Sequence, residues 1–321
     1  MKFTVIGAGG IGCYYAARLI EAGETVTLVA RGEHLRATCE NGLQMRHPEL
    51  NFHQAVDVST LDEWLDNTHP EQVDVVIVCL KGMQTASFAK QLAVWLEKHE
   101  GAKAPVVLSL QNGVENEKHL KEAVPKLLIL GGIARRIGAH IIEPGVVEAV
   151  GPAEVILGAW PNQQQIDSKD LVYVNQLADC FNNAHIPTEV SEDINKELWR
   201  KLIVNNGVNP LCALLEMETG EATHHANLLP LIRGAMEESA IAAKANNVEL
   251  SEQDVEGMFQ LISTFDSIKP SMLVDREKGK PLEMEEICGV VIRGCELLGK
   301  DAPYNRCIST LLAVEISKQQ V

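Results

Sequence analysis

The stretch "KFTVIGAGGIGCYYAARLIEAGETVTLVAR", residues 2–31, decides the fold. Its first five residues, four of them apolar or β-favouring, read as a buried strand. Gly7, Ala8, Gly9, Gly10, Ile11 and Gly12 follow as G-x-G-x-x-G, and "GCYYAARLIEAG" reads as a helix that closes at Gly23. "TVTLVAR", 25–31, reads as a second strand. A glycine motif that leaves a strand and opens a helix within such a unit is a phosphate cradle. Gly7 allows the tight turn, Gly9 lets the backbone approach a pyrophosphate, and Gly12 lets helix and strand pack closely. The helix N-terminus adds unpaired N–H groups and positive potential. Nineteen residues after Gly12 stands Arg31, where an NAD-selective site carries Asp or Glu. A guanidinium suits a 2′-phosphate, which favours NADP(H). The alternative leaves Arg31 in solvent and gives the ribose to Glu33.

The same texture continues outward. Apolar β-rich runs at 73–81, 105–113 and 126–134 alternate with helical stretches such as "TASFAKQLAVWLEKH". Such alternation predicts a parallel, doubly wound sheet. Residues 145–160, "GVVEAVGPAEVILGAW", alternate like an antiparallel pair turning near Gly151 and Pro152, which could extend the first sheet at an edge. A helix over 168–184 and a strand over 186–191 come next. From 192 to 321 the pattern is helical, broken by Pro210, Gly220, Pro230, Pro270 and Pro281. The expected division is therefore 1–191 and 192–321.

Bulk composition limits the function. The chain has 321 residues, is 46% hydrophobic and carries a formal net charge of −16. So acidic a surface repels phosphate backbones and anionic membranes, so neither nucleic acid nor membrane is an expected partner. Eight cysteines occur without a C-x-x-C pair, as buried thiols of a reducing compartment would. The N-terminus lacks a signal-peptide core, and no run reaches the length of a membrane span. A cytoplasmic location is the expectation.

Polar residues then stand out against apolar surroundings. Lys81 ends "VVIVCLK" and Asn112 ends "VVLSLQNG". Ligands bind outside the carboxyl ends of parallel strands, where both belong. In "ELWRKLIVNNGVNPL", 197–211, Lys201, Asn205 and Asn209 recur every fourth residue on one face of a helix expected to run to Pro210. Such groups amid apolar neighbours need partners. A ligand rich in oxygen is one; hydrogen bonding between helices is another, and Lys201 could reach solvent instead. Hydride addition to a ketone develops alkoxide charge, which an ammonium stabilises and protonates. Ser271 lies in a stretch preceding a helix expected to begin near Pro281. Glu283 falls in that helix's first turn, where a carboxylate is also favoured for electrostatic reasons alone. His224 and His225 diverge on a helix and lack a third ligand, so no metal is expected. Cys13 reads as packing.

These pieces resemble the ketopantoate reductase (2-dehydropantoate 2-reductase) family over nearly the whole chain: "GAGGIG", Arg31, "CLK", "LQNG", "ELWRKLIVNNGVNPL", and "SMLVDREKGKPLE" running to Glu283. The resemblance implies an N-terminal Rossmann-type doubly wound sheet, a C-terminal all-helical domain and a site between them. It implies NADPH-dependent reduction of 2-dehydropantoate to pantoate, in pantothenate and coenzyme A synthesis. Lys201 would be the proton donor, with Asn112, Asn205, Asn209 and Ser271 on the substrate. Glu283 would lie near the nicotinamide and help catalysis. Lys81, Asn112 and the loop around Gly138 and Ala139 would touch the cofactor. The expected partner is a small 2-oxoacid, with a homodimer as one candidate assembly.

Two positions depart from the family's pattern. Thr219 replaces an Asn that helps to bind substrate, and Cys288-Gly289 replaces a frequent Asn-Gly. They keep open a relative reducing another branched 2-oxoacid, such as a D-2-hydroxyacid dehydrogenase. A non-catalytic NADP(H)-binding regulator is the rival of another class.

Overall fold

The computed structural model describes residues 1–264 and 267–319; residues 265–266 and 320–321 of the expected helical segment lie outside the described residues. The chain divides into two compact units. One comprises Met1–Gln111 and Glu115–Ile194, the other Asn112–Val114 and Asn195–Val321.

The first unit holds twelve strands: β1 (Lys2–Ile6), β2 (Thr25–Val29), β3 (Leu43–His47), β4 (Leu50–Gln54), β5 (Asp57–Ser59), β6 (Val75–Val78), β7 (Val106–Ser109), β8 (Ile129–Arg135), β9 (Gly138–Glu143), β10 (Val146–Val150), β11 (Glu154–Ala159) and β12 (Thr188–Val190). Eight form the main sheet in the order β12-β11-β8-β7-β6-β1-β2-β5. All its neighbours pair in parallel except β8 with β11. This is the expected doubly wound sheet. The chain leaves β1 towards β2 on one side and returns to β6 on the other, so the order reverses at β1. That reversal opens a crevice beyond the strands' carboxyl ends.

The 145–160 stretch departs from expectation. β10 and β11 do not pair with each other. β10 pairs antiparallel with β9 and parallel with β3, in a second sheet of order β4-β3-β10-β9, whereas β11 joins the main sheet beside β8. Gly151, with φ +95°, carries the chain from one sheet to the other. Alternation recorded two half-buried strands correctly but could not name their partners.

The second sheet explains an oddity of the first helix, Gly10–Glu21. Every residue from Gly12 to Leu19 is buried, although a helix on one open sheet face needs only an apolar stripe. This helix packs against both β1–β2 and β3, β9 and β10. Tyr14 and Tyr15 meet edge to face at 5.5 Å in one core with Met45, Phe52 and Val147. Arg18, also buried, donates to the Tyr14 hydroxyl at 3.1 Å.

The second unit is helical. Its principal helices are Ile194–Leu215, Thr219–His224, Leu229–Lys244, Glu252–Ile262, Ser271–Glu277, Val290–Leu297 and Pro303–Gln319. The first does not stop at Pro210 but runs five residues further. A proline inside a helix costs about 3 kcal/mol. Burial of Leu202, Ile203, Val208, Leu211, Cys212 and Ala213 offsets that cost. Among the described residues no helix is long and apolar enough to cross a membrane.

Candidate active site

The glycine loop is built by what surrounds each Cα. Gly7 has φ +108°, and a β-carbon there would lie 2.8 Å from the Cys79 carbonyl. Its N–H and that of Ala8 both donate to the Val29 carbonyl at 3.1 Å, folding the turn back over β2. A β-carbon on Gly12 would stand 2.2 Å from the Gly7 carbonyl oxygen, which is the tight helix–strand packing expected of it. One on Gly10 would stand 2.1 Å from the Ala139 oxygen, so this glycine lets β9 press against the helix start. Gly9 differs from these three: a β-carbon there meets nothing within 4 Å. The residue expected to face a pyrophosphate thus faces open space at the head of the helix. The N–H groups of Gly10, Ile11 and Gly12 occupy the helix's first positions, where no preceding carbonyl of the helix can receive them.

Behind the loop the chemistry is neutral. Burial pushes the Cys79 thiol up to about 12 and the Cys13 thiol higher still. Burial also lowers the imidazole of His34, whose Nε2 lies 3.5 Å from the Cys13 sulfur. The positive end of the helix dipole is therefore not opposed by a thiolate.

The strands end earlier than expected. β2 stops at Val29, and the Ala30 N–H still bonds across to the Ser59 carbonyl of β5. Arg31 is exposed and sits as N-cap of the helix Gly32–Asn41. Glu33, its rival at the ribose, is paired with Arg36 one turn on. β6 stops at Val78, and Lys81 is a half-buried N-cap of the short turn Gly82–Gln84. Gln111, buried beyond β7, donates to the Leu80 carbonyl at 3.0 Å and to Thr85 Oγ1 at 2.7 Å. Thr85 in turn donates to Asn116 Oδ1 at 2.7 Å. This buried network holds the loop that carries Lys81, and a lone Gln in "SLQNG" gave no hint of it.

In the helical unit, Lys201, Asn205 and Asn209 all lie on the helix Ile194–Leu215. Lys201 and Asn205 are half-buried and Asn209 is buried. Arg200 is turned elsewhere, to Glu197 at 3.1 Å and towards Asp254 at 3.8 Å. Asn112 falls in this same unit, as do Ser271 and Glu283, whereas Lys81, Arg31, Ala139 and the glycine loop belong to the other.

Ser271 and Glu283 are placed differently from expectation. Ser271 opens a helix of its own, Ser271–Glu277, and is exposed. That helix ends in a Schellman closure: Lys280 N–H donates to the Asp275 carbonyl, Gly279 N–H to that of Arg276, and Gly279 has φ +63°. Pro281 therefore follows one helix end rather than beginning the next. Glu283 is buried and precedes the next helical segment instead of lying in its first turn, and the segment begins with a π-turn, Glu285–Gly289. The Glu283 carbonyl accepts from Ile287 N–H at 3.2 Å.

The departures at Thr219 and Cys288 have structural partners. The Thr219 hydroxyl donates to the Ile268 carbonyl and accepts from Ile268 N–H, each at 3.1 Å, fastening the loop before Ser271. Cys288 is buried, its thiol pushed up to about 12 by burial. His224 Nδ1 lies 2.7 Å from the Gly220 carbonyl. Among the described residues no cluster of three or more His, Cys, Asp or Glu is gathered for a metal.

Two residues absent from the sequence reading organise this unit. Arg276 places its buried guanidinium on the carbonyls of Ala213 and Leu214, ending the Lys201 helix, and pairs with Glu216 at 2.9 Å. Asn206, beside Asn205, is buried in an amide network. Neither has a local signal, since their partners lie some 30 to 100 residues away.

Known proteins resemble the chain over nearly its whole length. The family model "Ketopantoate reductase PanE/ApbA" matches residues 3–162, and the model of that family's C-terminal region matches 193–315. A 2-dehydropantoate 2-reductase of Pyrococcus abyssi is 30% identical over 305 residues, covering 95% of this chain and 94% of its own. The crystal structure of a PanE/ApbA family ketopantoate reductase from Ralstonia eutropha JMP134 superimposes with a TM-score of 0.84 at 28% identity, covering 100% of both chains. D-mandelate dehydrogenase, in a ternary structure with NADH and anilino(oxo)acetate, shares the fold with a TM-score of 0.86 at 24% identity. From its glycine loop to its last helices, the chain belongs to the ketopantoate reductase family of oxidoreductases.

Proposed function

We propose that this chain reduces 2-dehydropantoate to (R)-pantoate with NADPH, a step of pantothenate and coenzyme A synthesis. The observation that carries the reading is the open space over Gly9 in a loop whose other glycines are all closely packed. A cradle that leaves one glycine uncovered at a helix N-terminus suits a pyrophosphate. Gly7, Ala8, Gly9, Gly10, Ile11 and Gly12 would hold the cofactor's phosphates, Arg31 its 2′-phosphate, and Lys81, Asn112, Ala139 and Glu283 the remainder. The exposed Arg31, beside a Glu33 already paired, supports NADPH over NADH. Bound NADPH supplies the hydride.

The chain's own residues do the rest. Asn112, Asn205, Asn209 and Ser271 hold the substrate's carboxylate and oxygens and so set its orientation. Lys201 stabilises the oxygen on which negative charge develops and passes it a proton. Glu283 helps to order the site. The 30% identity to a 2-dehydropantoate 2-reductase supports this substrate over other 2-oxoacids. The test is NADPH oxidation with 2-dehydropantoate beside simpler 2-oxoacids. Clear preference for 2-dehydropantoate is expected; equal or better turnover of another 2-oxoacid would reassign the substrate, and no oxidation with any would overturn the activity.

A further inference from the structure

The helix that carries Lys201, Asn205 and Asn209 holds a further, buried polar residue with a separate task. Asn206 is 1% exposed, and both ends of its amide are engaged. Its Oδ1 accepts from Ser239 Oγ at 2.9 Å, and its Nδ2 donates to the Ile287 carbonyl at 3.0 Å and to Asn305 Oδ1. The amide cannot be turned round. The buried Glu238 carboxylate accepts from the Tyr304 and Asn305 backbone N–H groups at 2.9 Å and from Asn305 Nδ2 at 2.8 Å. With its nitrogen donating to that carboxylate and to the Ala235 carbonyl at 3.4 Å, Asn305 offers Asn206 only an oxygen. The Ile287 carbonyl is likewise only an acceptor, so both demand the Asn206 nitrogen.

Ile287 sits in the middle of the π-turn Glu285–Gly289. Its N–H is bonded to the Glu283 carbonyl and its own carbonyl to Asn206. One residue thus links a buried amide of the Lys201 helix to the backbone of Glu283. A π-turn is a widened turn that occurs singly and often at functional sites. Its collapse to an α-helical turn would shift the preceding chain by one residue, about 100° around the axis. The direction of Glu283 therefore depends on the turn that Asn206 holds.

We propose that Asn206 is a positioning residue for Glu283, acting through the Ile287 carbonyl and the π-turn. This rests on the reading of Glu283 as a group of the active site. The test is a kinetic cycle on the full chain with N206A, E283Q and the double variant, each checked for its melting temperature. N206A should lower kcat about tenfold to a hundredfold, as small misplacements do, and should change KM for NADPH no more than E283Q does. In the E283Q background N206A should cause no further loss, because residues acting as one unit are not additive. Losses that multiply, with E283Q itself impaired, would overturn the inference and leave Asn206 a determinant of folding alone. An E283Q variant with normal kcat would overturn the reading of Glu283 and this inference with it. Should N206A fail to fold, S239A enters the same cycle. It removes the bond that orients the Asn206 carbonyl, and is expected to cost about threefold in kcat. That loss should likewise vanish beside E283Q; its persistence there would overturn the inference.

Discussion

Gly10 lies so close to Ala139 that a β-carbon on the glycine would stand 2.1 Å from the alanine's carbonyl oxygen, while Gly9, one residue earlier, faces open space. The two neighbours should therefore respond oppositely to the same substitution. Gly10→Ala must push β9 away and should cost about 1–3 kcal/mol of stability, as overpacking does. Gly9→Ala should leave the melting temperature within about 2 °C, since a surface change of this kind stays within ±0.5 kcal/mol, yet weaken NADPH binding. Thermal unfolding and a cofactor titration on both variants decide it; normal NADPH affinity in Gly9→Ala would remove Gly9 from the cofactor site.

Arg31 is exposed and ends no strand, so its removal should not disturb the fold. Arg31→Ala is expected to weaken NADPH binding by about 10- to 100-fold, the worth of a charge-assisted bond to phosphate. NADH binding should change little. Equal losses for both cofactors would show that Arg31 does not read the 2′-phosphate.

Lys201→Ala is expected to lower turnover by about 10²- to 10⁴-fold, the range of a positioned acid. NADPH should still bind, because Lys201 is not among the residues assigned to the cofactor. Turnover near normal would exclude Lys201 as the proton donor.

Arg276 covers the last carbonyls of the Lys201 helix. Arg276→Met should destabilise the chain by about 2 kcal/mol, the cost of leaving buried acceptors unpaired. Arg276→Lys should recover only part of this, because an ammonium lacks the planar fork that spans two oxygens. The urea midpoint measures both, and a midpoint unchanged in Arg276→Met would show that the cap contributes nothing.

Asp254 supplies a pH dependence. Burial pulls its carboxyl upward, but the Ser251 N–H and hydroxyl, at 2.9 and 2.8 Å, and the Lys196 ammonium outweigh this, and the net shift is downward. A carboxyl depressed in the folded state contributes stability that is fully present above the ordinary value of about 3.9. That contribution is lost as pH falls through the depressed folded value. Asp254→Asn should therefore be less stable than wild type at pH 7 and close the gap in strong acid. A gap that is the same at pH 7 and pH 2.5 would contradict the assignment.

The sequence by itself determined whatever contiguous residues encode. Strand, glycine turn and helix follow one another within residues 2–23, and their order carries the phosphate cradle. The recurrence of Lys201, Asn205 and Asn209 every four residues places them on one helix face by the geometry of 3.6 residues per turn. Only the tertiary structure decided the partners. Alternation along 145–160 shows two half-buried strands, but hydrogen bonds to β3 and β8, chosen far away in the chain, sent them to different sheets. Pro210 reads as a stop until buried neighbours outweigh its missing bond. Pro281 reads as a start until Gly279 and Lys280 close the helix before it. Asn206 and Asn205 are the same residue side by side, and the sequence treats them alike. About 100° of helix turn separates them, and distant Ser239, Ile287 and Asn305 make Asn206 a strut of the core.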